Sequence, residues 1–115
     1  MKLADGHYWT KSSQGSAIWT NLSRVSCPSG TSKPTAAIFQ TLVKAYGGAA
    51  NSSYGSPYGT YDGDADLYNA TGWSGNFWST TEYNSSNAWR MNVNSSNSRV
   101  RNYDKSNSGQ LVCYR

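Results

Sequence analysis

Four short segments with aromatic centres, each bounded by Asn, Ser and Gly, dominate residues 71–115 of the chain. They read FWSTTEY, AWRMNV, SRVRNY and QLVCYR. Aromatic and β-branched residues between turn-forming residues are typical of β-strands. Successive strands with short polar connections form an antiparallel meander, so we expect a sheet here. This pattern restricts the possible folds more than any other feature of the sequence.

The alternation of residue types predicts that one face of the meander is buried and the other is wet. Trp89, Met91 and Val93 alternate with polar residues. The outward positions carry Tyr, Arg and Asn, which are enriched at recognition surfaces. An ordinary polar sheet face without a partner is the alternative. The predicted contact surface consists of Tyr83, Arg90, Asn92, Arg99, Arg101 and Tyr103.

The sequence predicts a single α+β domain over residues 1–115, with one clear helix. The hydrophobic fraction of 37% is low, but five Trp, nine Tyr and two Phe can supply a core. Ile38, Leu42 and Ala45 recur at helical spacing within residues 34–46, and glycines follow. Residues 7–25 have a short, strand-like pattern. We expect three tryptophans to be core residues: Trp73, Trp78 and Trp89.

Residues 49–71 are rich in Gly, Ser, Tyr and Asp, which favours an ordered functional loop over a core element. We expect its tyrosines to pack it onto the body: Tyr54, Tyr58, Tyr61 and Tyr68. Asp62, Asp64 and Asp66 alternate as at the start of an EF-hand loop. Leu67 and Trp73 stand where that loop requires Gly and Glu, so the motif fails. A looser cation site and a solvated acidic loop remain the two readings of these carboxylates.

Cys27 and Cys113 lie near opposite ends of the chain, outside any C-x-x-C pair. His7 is the only histidine, so the three residues do not complete a zinc site. A single long-range disulfide is the favoured interpretation, and two unrelated buried thiols are the alternative. A disulfide indicates an oxidising destination. No segment is apolar and long enough for membrane insertion, and the first residues lack the apolar core of a signal peptide.

The charge pattern and the scarcity of catalytic residue types favour protein binding over other functions. The net charge is +4, and the basic residues after Arg90 stand singly among Asn and Ser. Such spacing disfavours nucleic acid and favours an acidic protein partner or a solvated face. A nucleophilic triad would need His7 as its base, with no positioned Ser or Cys nearby. We therefore expect a binding module without catalytic residues or cofactors.

The segments SKPTAAIFQTLVKAY, GWSGNFWSTTEYNSSNAWRMNVNSS and LVCYR together resemble the C-type lectin-like fold of bacterial surface proteins. A single disulfide that joins the region before the helix to the last strand also resembles the arrangement in the distal domain of intimin- and invasin-type inverse autotransporter adhesins. The resemblance implies antiparallel sheets with one helix. It also implies adhesion to a host protein receptor. The domain would lie at a bacterial surface, anchored to the outer membrane through segments outside this sequence.

Proteins with the same fold have two further functions. The chain lacks the Glu-Pro-Asn, Gln-Pro-Asp and Trp-Asn-Asp triplets of calcium-dependent animal lectins. A glycan ligand would therefore need calcium at Asp62–Asp66, as a calcium-assisted lectin. The other function is a retroelement-diversified binding protein, in which Asn-rich strand positions vary. The positions compatible with it are Asn84, Asn87, Asn92, Asn94, Asn97 and Asn102.

Overall fold

The computed structural model of the protein describes residues 1–51 and 60–115. Within them the chain forms an α+β domain with three helices, seven strands and one disulfide. In chain order the elements are β1 (Ser16–Ile18), a 3₁₀ helix (Trp19–Arg24), α1 (Ala36–Ala45), β2 (Ala49–Ala50), β3 (Tyr61–Gly63), α2 (Asp66–Thr71), β4 (Gly75–Glu82), β5 (Asn87–Val93), β6 (Ser98–Asp104) and β7 (Ser108–Gln110).

Helix α1 lies where the apolar spacing predicts it. The Thr35 side chain accepts a hydrogen bond from the Ile38 amide at 3.3 Å, which caps the first turn. The helix ends at Tyr46, and Gly47 follows with φ of +87°. That left-handed conformation favours glycine and stops the helix. The buried residues of α1 are Ala36, Phe39, Leu42 and Val43.

Strands β4, β5 and β6 form the predicted antiparallel meander at the centre of the sheet. Met91 of β5 lies opposite Phe77 of β4 and Val100 of β6, and all three side chains are buried. The strand order across the sheet is β1-β7-β4-β5-β6-β3-β2. The first three aromatic-centred segments therefore pair as their sequence order indicates.

The prediction of purely antiparallel sheets is wrong at one strand pair, because β7 runs parallel to β4. Strand β3 occupies the outer edge of β6, so the chain cannot continue the meander there. Instead, the chain passes the connection between β4 and β5, where the Lys105 amide donates a hydrogen bond to the Ser86 carbonyl at 2.9 Å. It then pairs with the free edge of β4. The sheet is therefore mixed.

Three local predictions also differ from the structure. The last segment is a strand only as far as Gln110; beyond it, Tyr114 forms isolated bridges to Trp9 and Ser32. Residues 19–24, expected to be strand-like, form the 3₁₀ helix. Residues 49–71 contain β2, β3 and α2 in place of a loop, while Tyr54 and Tyr58 lie outside the described residues.

Two hydrophobic clusters cover opposite faces of the sheet. The larger cluster lies between α1 and the sheet and contains Trp9, Phe39 and Met91. The smaller cluster lies on the other face and contains Trp78 and Leu111. The expected core tryptophans are buried: Trp73, Trp78 and Trp89. The predicted aromatic core is therefore confirmed.

The disulfide between Cys27 and Cys113 is present, with the two Cα atoms 5.8 Å apart. It joins the segment before α1 to the end of the chain, across a sequence separation of 86 residues. The prediction of one long-range cross-link is confirmed. No helix in the described ranges is long and apolar enough to cross a bilayer.

Candidate functional site

The outward side of β5 and β6 brings together five of the six residues predicted as a contact surface. They lie opposite the face that buries Met91 and Val100. The directly opposed residues are Arg90 with Arg101, Asn92 with Arg99, and Ala88 with Tyr103. We call this surface the arginine face, and its members are Arg90, Asn92, Arg99, Arg101 and Tyr103.

Tyr83, the sixth predicted residue, does not lie on the arginine face. It follows the end of β4 and is 41% exposed. Its ring meets the ring of Trp89 edge-on, with the centroids 5.3 Å apart. Trp89 belongs to the cluster under α1, on the other side of the sheet. Tyr83 therefore contributes to a different surface.

Arg90 is the most unusual side chain of the arginine face. Its guanidinium lies over the Tyr103 ring, 4.3 Å from the centroid, which is a cation–π contact. Its Nε and Nη1 atoms are buried and have no hydrogen-bond partner among the described residues. Buried donors without partners destabilise a fold, so this arrangement has a cost.

The electrostatic environment of Arg90 is also unfavourable for its charge. Burial lowers the pKa of the Arg90 guanidinium, and the charges of Arg101 and Arg99 lower it further, whereas Tyr103 raises it. An arginine nevertheless stays protonated at neutral pH. Arg90 thus holds a partly desolvated positive charge beside two others.

Arg101, the neighbour of Arg90, is bound to a carboxylate of the same chain. Its Nη2 donates to Asp62 Oδ1 at 2.9 Å and to Asp62 Oδ2 at 3.0 Å. Asn51 Nδ2 also donates to Asp62 Oδ2, at 2.6 Å. The pair ties β6 to β3 and neutralises one of the three arginines.

Arg99 has no hydrogen bond or ion pair to any residue in the described part of the chain. Its side chain is half-buried and lies between Asn92 of β5 and Asp62 of β3, whose carboxylate pairs with Arg101 instead. The arginine face therefore holds three guanidiniums and one carboxylate. Arg90 and Arg99 are the two charges without a counterion there.

A row of asparagines fixes the edge of the arginine face. Asn92 Nδ2 donates to Asn76 Oδ1 at 2.9 Å, and Asn94 Nδ2 donates to Asn92 Oδ1 at 3.2 Å. Asn94 also donates to Asn97 Oδ1 at 3.1 Å. These amides satisfy one another, so Asn92 contributes rigidity to the face as well as polarity.

The three aspartates considered for a cation do not form a common ligand set. Asp62 is engaged by Arg101 and Asn51, and Asp64 Oδ1 accepts the Asp66 amide at 2.9 Å, at the start of α2. In residues 1–51 and 60–115, no group of three or more His, Cys, Asp or Glu side chains could hold a metal ion.

A concave surface that sequence reasoning missed lies beside the 3₁₀ helix. It encloses about 280 Å³ and is mainly apolar. Trp19 donates from Nε1 to the Ser79 carbonyl at 2.8 Å, and Lys105 Nζ lies 4.7 Å from its ring centroid. The spacing of Trp19 and Leu22 fits one helical turn and was the available signal. The lining residues are Trp19, Thr20, Leu22, Ser23, Lys33 and Thr80.

The two cysteines and the histidine of the chain have structural contacts. Both cysteines form the disulfide. His7 Nδ1 lies 3.2 Å from the Arg115 carbonyl oxygen, and its ring meets Tyr114 edge-on with centroids 5.2 Å apart. These contacts tie the first residues to the last ones.

Comparison with known proteins leaves the arginine face as the main guide to function. No protein-family model matches the chain, and no curated protein matches it significantly.

Proposed function

We propose that the protein is a non-enzymatic receptor-binding domain of C-type lectin-like type, similar to the tip of intimin- and invasin-type adhesins. In this proposal it is displayed at the outer surface of a Gram-negative bacterium and binds a host protein. The sequence segments that resemble the family support it, together with a cross-link from the region before α1 to the chain end.

The observation that carries the proposal is the arginine face. It presents Arg90 and Arg99 without counterions among the described residues, next to the aromatic ring of Tyr103. Arg and Tyr are the types most often found at the energetic centres of interfaces. A solvated sheet face would have no need for buried, unpaired guanidinium donors.

Binding on this face would work by surface complementarity, with no covalent bond made or broken. The central strands and the asparagine row hold the arginines in place, so little conformational entropy is lost on association. The positive field would accelerate the encounter with an acidic surface.

The test is the binding of the fluorescently labelled domain to a panel of cultured animal cells, measured by flow cytometry. We expect saturable binding that is lost when the cells are pretreated with protease and is unchanged by EGTA. Binding that survives protease but is removed by glycosidases or EGTA would contradict the proposal and favour the calcium-assisted lectin. Absence of saturable binding to every cell type would also contradict it.

A further inference from the structure

We infer that the arginine face receives two carboxylates from an acidic, extended protein segment, and that Arg90 and Arg99 are the receiving groups. This inference rests on the proposed function and adds the chemistry of the partner. It follows from four properties of the face: its charge, the geometry of Arg90, an internal example of the same contact, and the spacing of the two arginines.

The charge imbalance calls for an anionic ligand. Of the three arginines on the face, only Arg101 has an ion pair within the described residues. Arg101 and Arg99 stand close enough to Arg90 to disfavour its charge, which lowers the pKa of Arg90 in addition to the effect of burial. An anion placed among them would remove that repulsion, because opposite charges at such distances attract.

Arg90 is held ready for a ligand. Its cation–π contact with Tyr103 and its partial burial restrict the side chain, so little side-chain entropy is lost when a partner binds. Within residues 1–51 and 60–115, its Nε and Nη1 atoms are buried and have no hydrogen-bond partner, whereas Nη2 is not among the buried atoms and forms no hydrogen bond. Nη2 is therefore the donor that an incoming oxygen reaches first.

Asp62 shows which ligand chemistry the face accepts. Its carboxylate contacts Arg101 through both oxygens, at 2.9 and 3.0 Å, on the same side of the sheet. A planar carboxylate thus already fits a guanidinium of this face. Carboxylate–guanidinium contacts are charge-assisted and shorter than neutral hydrogen bonds.

The spacing of Arg90 and Arg99 fits an extended chain. Arg90 lies opposite Arg101 and Arg99 lies opposite Asn92, so the two unpaired arginines are diagonal neighbours. Diagonal positions on adjacent strands are about 7–8 Å apart. Alternate residues of an extended strand are separated by about 6.6 Å. Two acidic side chains at positions i and i+2 would therefore meet both arginines.

The experiment measures binding of the purified domain to immobilised poly-L-glutamate, with heparin as the sulfated alternative and dextran as the neutral control. The test variant is Arg90→Met with Arg99→Gln. The matched control is Lys11→Gln with Lys44→Gln, which removes the same charge from exposed positions outside the arginine face. A third variant, Arg90→Lys with Arg99→Lys, keeps the charge but loses the planar fork.

We expect the test variant to bind poly-L-glutamate at least about tenfold more weakly than wild type, and the lysine control to stay within about twofold. The Lys-for-Arg variant should lie between them. Equal losses in the test and control variants would reduce the effect to net charge and overturn the inference. Preference for heparin over poly-L-glutamate would overturn it in favour of a sulfated glycan.

These outcomes separate the inference from the proposed function. Saturable cell binding without preference for poly-L-glutamate would reject the carboxylate ligand alone. Selective poly-L-glutamate binding without binding to any cell would reject the receptor function alone.

Discussion

Arg90 is the residue whose contacts are hardest to explain by stability. In the described part of the chain two of its donors are buried and have no hydrogen-bond partner, and two further arginines lie beside it. Desolvated polar groups of this kind usually destabilise a protein, and replacing them with apolar groups of similar size is often neutral or stabilising. Such a residue is better explained by binding than by folding.

Arg90→Met therefore provides a prediction about stability. Methionine keeps an unbranched stem against Tyr103 and removes the unpaired donors and the repulsion. We expect the free energy of unfolding to stay within about 0.5 kcal/mol of wild type or to rise by up to about 1 kcal/mol. Urea unfolding measures it, with Arg99→Met as the control, because Arg99 forms no hydrogen bond or ion pair with the described residues. A loss of 2 kcal/mol or more, taken as about the size of a core defect, would show that Arg90 supports the fold.

Asp104 gives a prediction about pH at the turn after β6. Its Oδ1 accepts hydrogen bonds from the Ser106 hydroxyl at 2.7 Å and the Ser106 amide at 2.8 Å. The side-chain bond, and then the backbone bond, lower the pKa of Asp104. Because the folded pKa is lowered, the stabilisation is complete above the ordinary pKa of Asp and disappears as the pH falls through the folded value.

An NMR titration of the Asp104 carboxyl carbon tests this account. We expect its midpoint to lie below that of an ordinary aspartate, and Ser106→Ala to move it upward because the larger contribution is removed. Identical midpoints in the wild type and the variant would contradict the assignment of the shift to Ser106.

At the scale of the elements, the parallel contact of β7 with β4 depends on one close approach. A Cβ atom on Gly109 would lie 2.5 Å from Cδ1 and Nε1 of Trp78, which is fully buried. The Trp78 ring is also held by a hydrogen bond to the Ala17 carbonyl at 3.0 Å, so it has little freedom to move. Glycine is required there for steric reasons.

Gly109→Ala should therefore destabilise the protein by about 1–3 kcal/mol, as overpacking of a core does. Ser108→Ala, at the exposed neighbouring position, is the control and should change stability by less than about 0.5 kcal/mol. Chemical denaturation with tryptophan fluorescence measures both. Equal midpoints for the two variants would mean that β7 can move away from Trp78.

The elements that sequence reasoning predicted are those whose signals are local. Alternation over β5 placed Arg90 and Asn92 outward, and helical spacing with Gly47 located α1. The pairing of β7 with β4 could not be predicted, because it depends on β3 having taken the edge of β6. The position of Tyr83 could not be predicted, because the register of β4 against β5 shifts between Trp78 and Glu82.

At the scale of the whole molecule, the disulfide lies in a region where the first and last residues of the chain already pair. The first residues pair with the last through Tyr8 and Arg115, and Thr10 accepts the Cys113 amide at 2.9 Å. These contacts and the disulfide hold together the same region, in which the first residues of the chain meet the last. The cysteine positions predicted the link, whereas the pairing of the two termini had no sequence signal.

Replacing both cysteines by alanine should lower the free energy of unfolding by up to about 4.5 kcal/mol, because the unfolded chain regains the entropy of a long loop. A reducing agent should lower the melting temperature of wild type and leave that of the double variant unchanged. If the oxidised wild type and the double variant melt at the same temperature, the cross-link does not contribute to stability.

The most direct measurement of the central claim compares cell binding with stability in Arg90→Met/Arg99→Gln, using Lys11→Gln/Lys44→Gln as the matched control. We predict melting within about 2 °C of wild type or above it for both variants, and at least about tenfold weaker cell binding only for the arginine variant. If the double variant melts lower, Arg99→Gln alone gives the same test, because Arg99 has no ion pair or hydrogen bond within residues 1–51 and 60–115. Unchanged saturable binding after loss of these arginines would contradict the claim that the arginine face is the binding surface.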